Sequence, residues 1–330
     1  MTLWNGSKKR PMPRVAVIGT GTMGKAMALR LVGAGMNVDV WSRHAASMMP
    51  LVAAGATAYD KASDAAKEAD VVITMLPTAE ATIDVMVGGE ALSSMRPRAV
   101  WAQMATIGIR ATEGLVAETR TKRPSVTFVD APVSGSRDPA QKGQLLILAS
   151  GPARAAALLE PVFEELGRAT LWLGPAGAGS RMKLVLNTWL AFQAEGAAEA
   201  AALAERLQVP TTALFDALRD NPLASPYALG KLTRMIEQDY HADFSLSWAL
   251  KDLDLAESEA GPGVVPVAEA IGKRWRGLVN AGAGGLDVSA ARQGLGAEAA
   301  TGPGDGGTES SAAEAQTALA EIRRAAPVNP

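Results

Sequence analysis

In "GAGSRMKLVLN", residues 177–187 of the 330-residue chain, Lys183 and Asn187 bracket the apolar run Leu184-Val185-Leu186. Four residues apart on a helix, they face the same way. A lysine on an ordinary amphipathic helix snorkels to solvent. Buried between two domains, its pKa would fall toward working pH, and it could give or take a proton. Asn187, one turn on, could orient a substrate hydroxyl or carboxylate. An Asn on the helix surface is the plain alternative.

A second group of residues points to a nucleotide. "VAVIGTGTMGKAMALRLVGAG" carries Gly19, Gly21 and Gly24 in G-x-G-x-x-G spacing, together with Thr20, Thr22 and Met23. The motif follows a strand-like run and opens a helix-like one, the context that makes it a dinucleotide fingerprint. The glycines serve a tight turn, backbone approach to a pyrophosphate, and close helix–strand packing. The next strand ends in Ser42 and Arg43, where NAD enzymes usually place an acid. Asp39 lies three residues too early to serve. Arginine at this tip can pair with a 2′-phosphate, so NADP(H) is expected over NAD(H), with NAD(H) still possible.

Ser134, Gly135 and Ser136 follow another strand-like run. Glycine lets backbone approach an anion, and the hydroxyls add donors. Lys251 and Asp252 fall in a later helical stretch. "YALGK" (227–231) matches the tyrosine–lysine pair of short-chain dehydrogenases, but it lies in the helical half, where an i, i+4 pair is commonplace. Trp189, Trp248, Phe244 and Tyr240 could line a pocket, although such aromatics more often belong to a core, and none of the four is singled out.

These residues need elements to hold them. Strand signals occur at 14–19, 37–42, 70–76, 98–104, 126–133 and 143–151, with helical stretches between. That alternation predicts an α/β Rossmann domain, a doubly wound and mostly parallel sheet. After Gly179 the pattern turns helical. A helix over 181–207 would join the sheet to an all-α C-terminal domain with helices at 211–219, 225–238, 245–260 and 264–279. The expected division is a flexible leader at 1–13, an NADP-binding domain at 14–178, a helical substrate and dimerisation domain at 179–296, and a low-complexity tail at 297–330. A short helix is expected within that tail, near 310–324.

Composition narrows the chemistry. The chain has no cysteine, so disulfides, thiolate metal sites and cysteine nucleophiles are excluded. With only His44 and His241, a histidine-rich metal site is excluded too, and no metal is expected. A net charge of −2 gives no reason to expect nucleic acid as a partner. No apolar run reaches the roughly 18 residues of a membrane span, and the start lacks a signal-peptide core. A cytoplasmic location is expected.

Four motifs occur in an order that resembles the β-hydroxyacid dehydrogenase family, typified by 3-hydroxyisobutyrate dehydrogenase. They are "GTGTMG", "DAPVSGS" at 130–136, G-x-G-x-x-x-K-x-x-x-N from Gly177 to Asn187, and "KDLDLA" at 251–256. "GLDVSAARQGL" at 285–295 is similar to the family's C-terminal segment, so the resemblance spans about 14–296. "SGSRDPAQKGQLLILASG" looks most like the glyoxylate/succinic semialdehyde reductase branch, which usually prefers NADPH. The resemblance implies that Lys183 is the general acid/base, that Ser134, Gly135, Ser136 and Asn187 bind substrate, and that Lys251 approaches the nicotinamide. It adds Leu76, Pro77 and Thr106 to the cofactor contacts. The usual Ser/Thr-Thr-Ile-x-Pro reversal departs here to "ATIGI", with Ala105 first and Ile109 in place of proline.

The reading is thus an NADPH-dependent oxidoreductase interconverting a small carbonyl acid and its hydroxy acid, assembled as a homodimer or homotetramer. The rivals are an imine reductase or promiscuous carbonyl/imine reductase, and a non-catalytic NADP-binding module that senses redox state.

Overall fold

A computed structural model of the chain describes residues 12–296. All but the last two residues of the expected leader, the expected tail and its short helix lie outside the described residues. The chain divides into a compact unit, Met1–Gln293, and a second unit, Gly294–Pro330. Every element below belongs to the first.

Six short strands build a parallel sheet: β1 Val15–Ile18, β2 Val38–Trp41, β3 Thr57–Ala58, β4 Val71–Thr74, β5 Val100–Gln103 and β6 Thr127–Asp130. Their order is β3-β2-β1-β4-β5-β6. β1, β4, β5 and β6 are buried along their whole length, as a sheet covered on both faces requires. Val15 and Val17 pack with one layer, against Met27 and Leu31. Ala16 and Ile18 pack with the other, which holds Trp101 and Phe128. The crossovers carry α1 Thr22–Gly33, α2 Met49–Ala54, α3 Ala62–Lys67, α4 Ala79–Ile83, α5 Ala91–Ser94 and α6 Ile109–Lys122. The strand order reverses direction between β1 and β4, and ligands of such sheets bind beyond the strand ends at that point.

A smaller sheet follows, in the order β7-β8-β9: β7 Val133–Ser134, β8 Leu145–Ala149 and β9 Gly167–Trp172, with α7 Arg137–Gln141 and α8 Ala156–Leu166 between them. Two expectations need correction here. The single strand expected over 126–133 is two strands in two sheets, broken at Ala131-Pro132. Proline has no N–H for a ladder, and the Pro132 carbonyl instead accepts from Leu148 N at 2.9 Å. β9 was not anticipated. It is an edge strand whose residues are largely exposed, so no period-two pattern marks it.

Beyond Trp172 the structure is helical: α9 Ala178–Arg206, α10 Thr211–Arg219, α11 Pro226–Glu237, α12 Leu246–Ala260 and α13 Pro266–Asn280. At 29 residues α9 is roughly 44 Å long. Ala191, Ala194, Ala198, Ala201 and Ala204 form its buried stripe, and α11, α12 and α13 pack against it. Small side chains let those helices come close.

Candidate active site

The loop after β1 has the form that a dinucleotide needs. Gly19 has φ +102°, and a Cβ there would meet Met75 O at 2.5 Å. A Cβ on Gly24 would lie 1.9 Å from Gly19 O. At Gly21 a Cβ would meet nothing within 4 Å, so the space beside its backbone is open. α1 starts here with no acidic residue in its first turn and no side-chain cap, so the N–H groups near Thr22 and Met23 stay free for an anion. Thr20 is buried and bonded to Ser47 Oγ at 2.6 Å. These residues fit a dinucleotide.

The remaining expected cofactor contacts follow the C-terminal ends of neighbouring strands. Leu76 and Pro77 follow β4, and the Leu76 side chain packs under Gly19. Thr106 follows β5. Ser42 and Arg43 follow β2; Arg43 is exposed and has no ion-pair partner among the described residues. Asp39 is unavailable to a ribose. It is buried and accepts two bonds from the Arg14 guanidinium, at 2.6 and 2.9 Å.

Lys183 and Asn187 are both buried, 9% and 6% exposed, on the inward face of α9. The Lys183 ammonium has no hydrogen-bond or ion-pair partner among the described residues. Burial lowers its pKa from 10.5 to about 8; the Asp252 carboxylate works against the shift and the Lys251 ammonium adds to it. Asn187 Nδ2 donates to Asp252 Oδ2. That bond fixes the amide, leaving its carbonyl oxygen as an acceptor. Asp252 also lies 2.9 Å from Lys251 Nζ. Lys251 in turn donates to Thr106 O at 2.5 Å and sits 5.5 Å from the Trp248 ring centre. One chain of polar contacts thus runs from α9 through α12 to the loop after β5.

The start of α9 is unusually well fixed. Gly177 has φ +99°, and a Cβ on Gly179 would lie 2.1 Å from Leu148 O, so the helix begins in contact with β8. The Asp130 carboxylate, fully buried at the end of β6, accepts from Ser180 N and Ser180 Oγ, both at 2.8 Å. Ser150 Oγ accepts from Gly179 N at 2.9 Å. Four residues beyond Asp130 the same chain forms the Ser134-Gly135-Ser136 turn, with both serines half-exposed and Gly135 at φ +131°. Sequence reasoning overlooked Asp130, Ser150 and Ser180. One signal was legible: a lone acid closing the buried run Thr127-Phe-Val-Asp130.

Other expectations resolve differently. Lys231 of "YALGK" is buried and paired with Asp287 Oδ1 at 2.7 Å, so it serves structure. Tyr227 OH is buried without a partner among the described residues, and burial pushes its pKa up. The aromatics, left open between pocket and core, lie outside the core. Trp189 is 60% and Trp248 43% exposed, while Phe244 and Tyr240 are half-buried.

The chain is similar to known proteins over most of its length. Residues 14–174 match the model of the NAD binding domain of 6-phosphogluconate dehydrogenase. Residues 177–295 match that of the NAD-binding region of NADP-dependent 3-hydroxyisobutyrate dehydrogenase. Glyoxylate/succinic semialdehyde reductase 1 of Arabidopsis thaliana is 31% identical over 279 residues, covering 84% of this chain and 96% of the relative. The chain belongs to the β-hydroxyacid dehydrogenase family. The NAD-dependent L-serine dehydrogenase of Pseudomonas aeruginosa, another relative, is 32% identical over 257 residues, 76% of this chain and 86% of its own. The 3-hydroxyisobutyrate dehydrogenase of Mycobacterium tuberculosis, solved with L-serine, superposes with a TM-score of 0.78 at 28% identity, over 86% of this chain and 99% of that one. As a β-hydroxyacid dehydrogenase, the protein is an NAD(P)-dependent oxidoreductase acting in the hydroxyacid dehydrogenase/reductase class. No helix among the described residues is long and apolar enough to cross a membrane.

Proposed function

We propose that this β-hydroxyacid dehydrogenase is an NADPH-dependent reductase of small aldehyde or keto carboxylates, with Lys183 as its general acid/base. The observation that carries the reading is a buried lysine of lowered pKa, without a salt-bridge partner among the described residues, one helical turn from a fixed asparagine. When bound, the nicotinamide supplies or accepts the hydride. The protein's residues handle the proton and the orientation. Lys183 Nζ gives a proton to the carbonyl oxygen as it becomes a hydroxyl, and takes it back in the reverse direction. Asn187 and the donors of Ser134, Gly135 and Ser136 hold the substrate carboxylate and hydroxyl. Lys251, which donates to Thr106 O, approaches the nicotinamide in this reading.

The lowered pKa sets a pH dependence with a definite sign. Reduction needs protonated Lys183, so its rate falls as pH rises through about 8. Oxidation needs the neutral amine, so its rate rises through the same range. Rate profiles measured in both directions at saturating cofactor should show opposite limbs with a common midpoint. Parallel limbs would contradict the assignment.

Arg43 supports NADPH, since a free guanidinium at the β2 tip matches a 2′-phosphate and Asp39 is engaged elsewhere. Arg43→Ala is expected to weaken NADPH binding roughly ten- to hundredfold, as loss of a charged hydrogen bond does. NADH binding should change less than about twofold in the same fluorescence titration. Equal loss for both would refute the contact.

The exposed residues Met182, Val185, Trp189 and Leu203 of α9, with Leu207 just beyond its end, give an apolar surface that supports a homodimer or homotetramer.

A further inference from the structure

Lys183 and the Ser134–Ser136 turn lie on different parts of the chain, yet the proposed reaction needs them in one fixed relation. A single buried side chain joins the two. Asp130 ends β6, and the turn follows it by four residues. Its backbone pairs with Ser150 in both directions, N to O at 2.9 Å and O from N at 2.7 Å, which ties β6 to the smaller sheet. Its carboxylate reaches the other way. Oδ2 accepts from Ser180 N at 2.8 Å and Ser150 Oγ at 3.1 Å, and Oδ1 accepts from Ser180 Oγ at 2.8 Å. Ser180 lies three residues before Lys183, less than one turn along the same helix. Thr112 of α6 touches Ser180 Oγ at 3.2 Å.

We propose that Asp130 is a positioning residue for the reaction: its carboxylate clamps the first turn of α9 and so holds Lys183 in register with the substrate turn. The inference rests on Lys183 being the proton-transfer residue. Asp130 does not touch substrate. Nor does the clamp depend on a negative charge. Burial pushes the carboxyl pKa up, against the bonds from Ser180 and Ser150. No basic side chain pairs with it among the described residues. What the helix needs is acceptor geometry. A side-chain amide supplies an oxygen for Ser180 N, and its NH2 can face Ser180 Oγ, which accepts as well as donates. Alanine supplies neither.

This separates Asp130→Asn from Asp130→Ala. In single-turnover reduction at saturating NADPH and substrate, Asp130→Ala is expected to be slower by roughly a hundredfold, the effect of about 1 Å of misplacement. Asp130→Asn should recover to within about fivefold of wild type, and NADPH Kd should hold within about twofold in both variants. Ser150→Ala, which removes the acceptor of Gly179 N, should show a partial loss at unchanged NADPH Kd and serves where Asp130→Ala does not fold. Wild-type rates in Asp130→Ala, or in Ser150→Ala where that variant must stand in, would overturn the clamp. So would an Asp130→Asn as slow as Asp130→Ala, because charge would then be the requirement. NADPH affinity falling in step with rate would assign Asp130 to the fold at large. Lys183→Ala run alongside keeps the two claims apart. If it turns over normally, the proton-transfer reading fails. If it is inactive while Asp130→Ala is normal, only the clamp fails.

Discussion

Lys183→Ala is expected to slow carbonyl reduction by roughly a hundred- to ten-thousandfold, the range that a positioned general acid contributes. NADPH binding should stay within about twofold, because the glycine loop, the β2 tip and the Leu76–Pro77 segment are all on other elements. The loss arises at the proton. Carbonyl reduction leaves negative charge on oxygen, and a proton donor positioned beside it quenches that charge. Neither histidine hydrogen-bonds into the Lys183 cluster, and the chain has no cysteine. Asn187, already donating to Asp252, offers no acidic proton. Lys251 is tied to Thr106 O and stands 2.9 Å from Asp252 Oδ1, so it is poorly placed to substitute. Stopped-flow NADPH oxidation measures the effect, with a fluorescence titration for binding. A loss below about fivefold at saturating substrate would remove Lys183 from the chemistry.

The second large effect concerns stability. Asp287 is fully buried and faces Lys231 Nζ at 2.7 Å, with Arg234 Nη1 at 3.3 Å. It also accepts from Ser289 N at 3.0 Å and Phe244 N at 3.3 Å. Burial alone would raise its pKa, but these partners outweigh it, and the carboxyl titrates below its ordinary value. Asp287→Ala would leave Lys231 buried without a counter-charge and three backbone N–H groups, of Asp243, Phe244 and Ser289, without this acceptor. Breaking a buried pair in this way costs about 3–5 kcal/mol. The pair of Arg219 and Asp216 is more than half exposed on both sides, so Asp216→Ala should cost under about 1 kcal/mol. Urea unfolding of the two variants beside wild type checks the contrast. Similar small losses would mean that the Asp287 hub contributes little to stability. The loss should also reach the active site, because Asp287 fixes the Phe244–Ser245 approach to α12, which carries Lys251 and Asp252.

Much of this was legible in the sequence, for physical reasons. The parallel sheet was readable because both of its faces are covered, so its strands are apolar runs that helical periodicity interrupts. The glycine loop was readable because backbone geometry forbids a Cβ at Gly19 and Gly24. Lys183 and Asn187 were readable because spacing alone puts residues four apart on one helix face. The missed features lack such local signatures. Whether Asp130 meets Ser180, or Lys231 meets Asp287, depends on tertiary approach across 50 and 56 residues. β9 gave no signal because an edge strand need not alternate. The break at Ala131-Pro132 was written in the proline but overridden by the apolar residues around it. Residue type alone left Trp189 and Trp248 open between pocket and core, because their exposure follows from which way α9 and α12 turn their faces.

The most direct test of the central claim is single-turnover NADPH oxidation by wild type and Lys183→Ala, across glyoxylate, succinic semialdehyde, other short carbonyl acids and one cyclic imine. The expected result is turnover of one or more carbonyl acids by wild type, falling at least about a hundredfold in the variant while NADPH binding is kept. Imine turnover that survives loss of the lysine, or NADPH binding with no turnover of any compound, would contradict it.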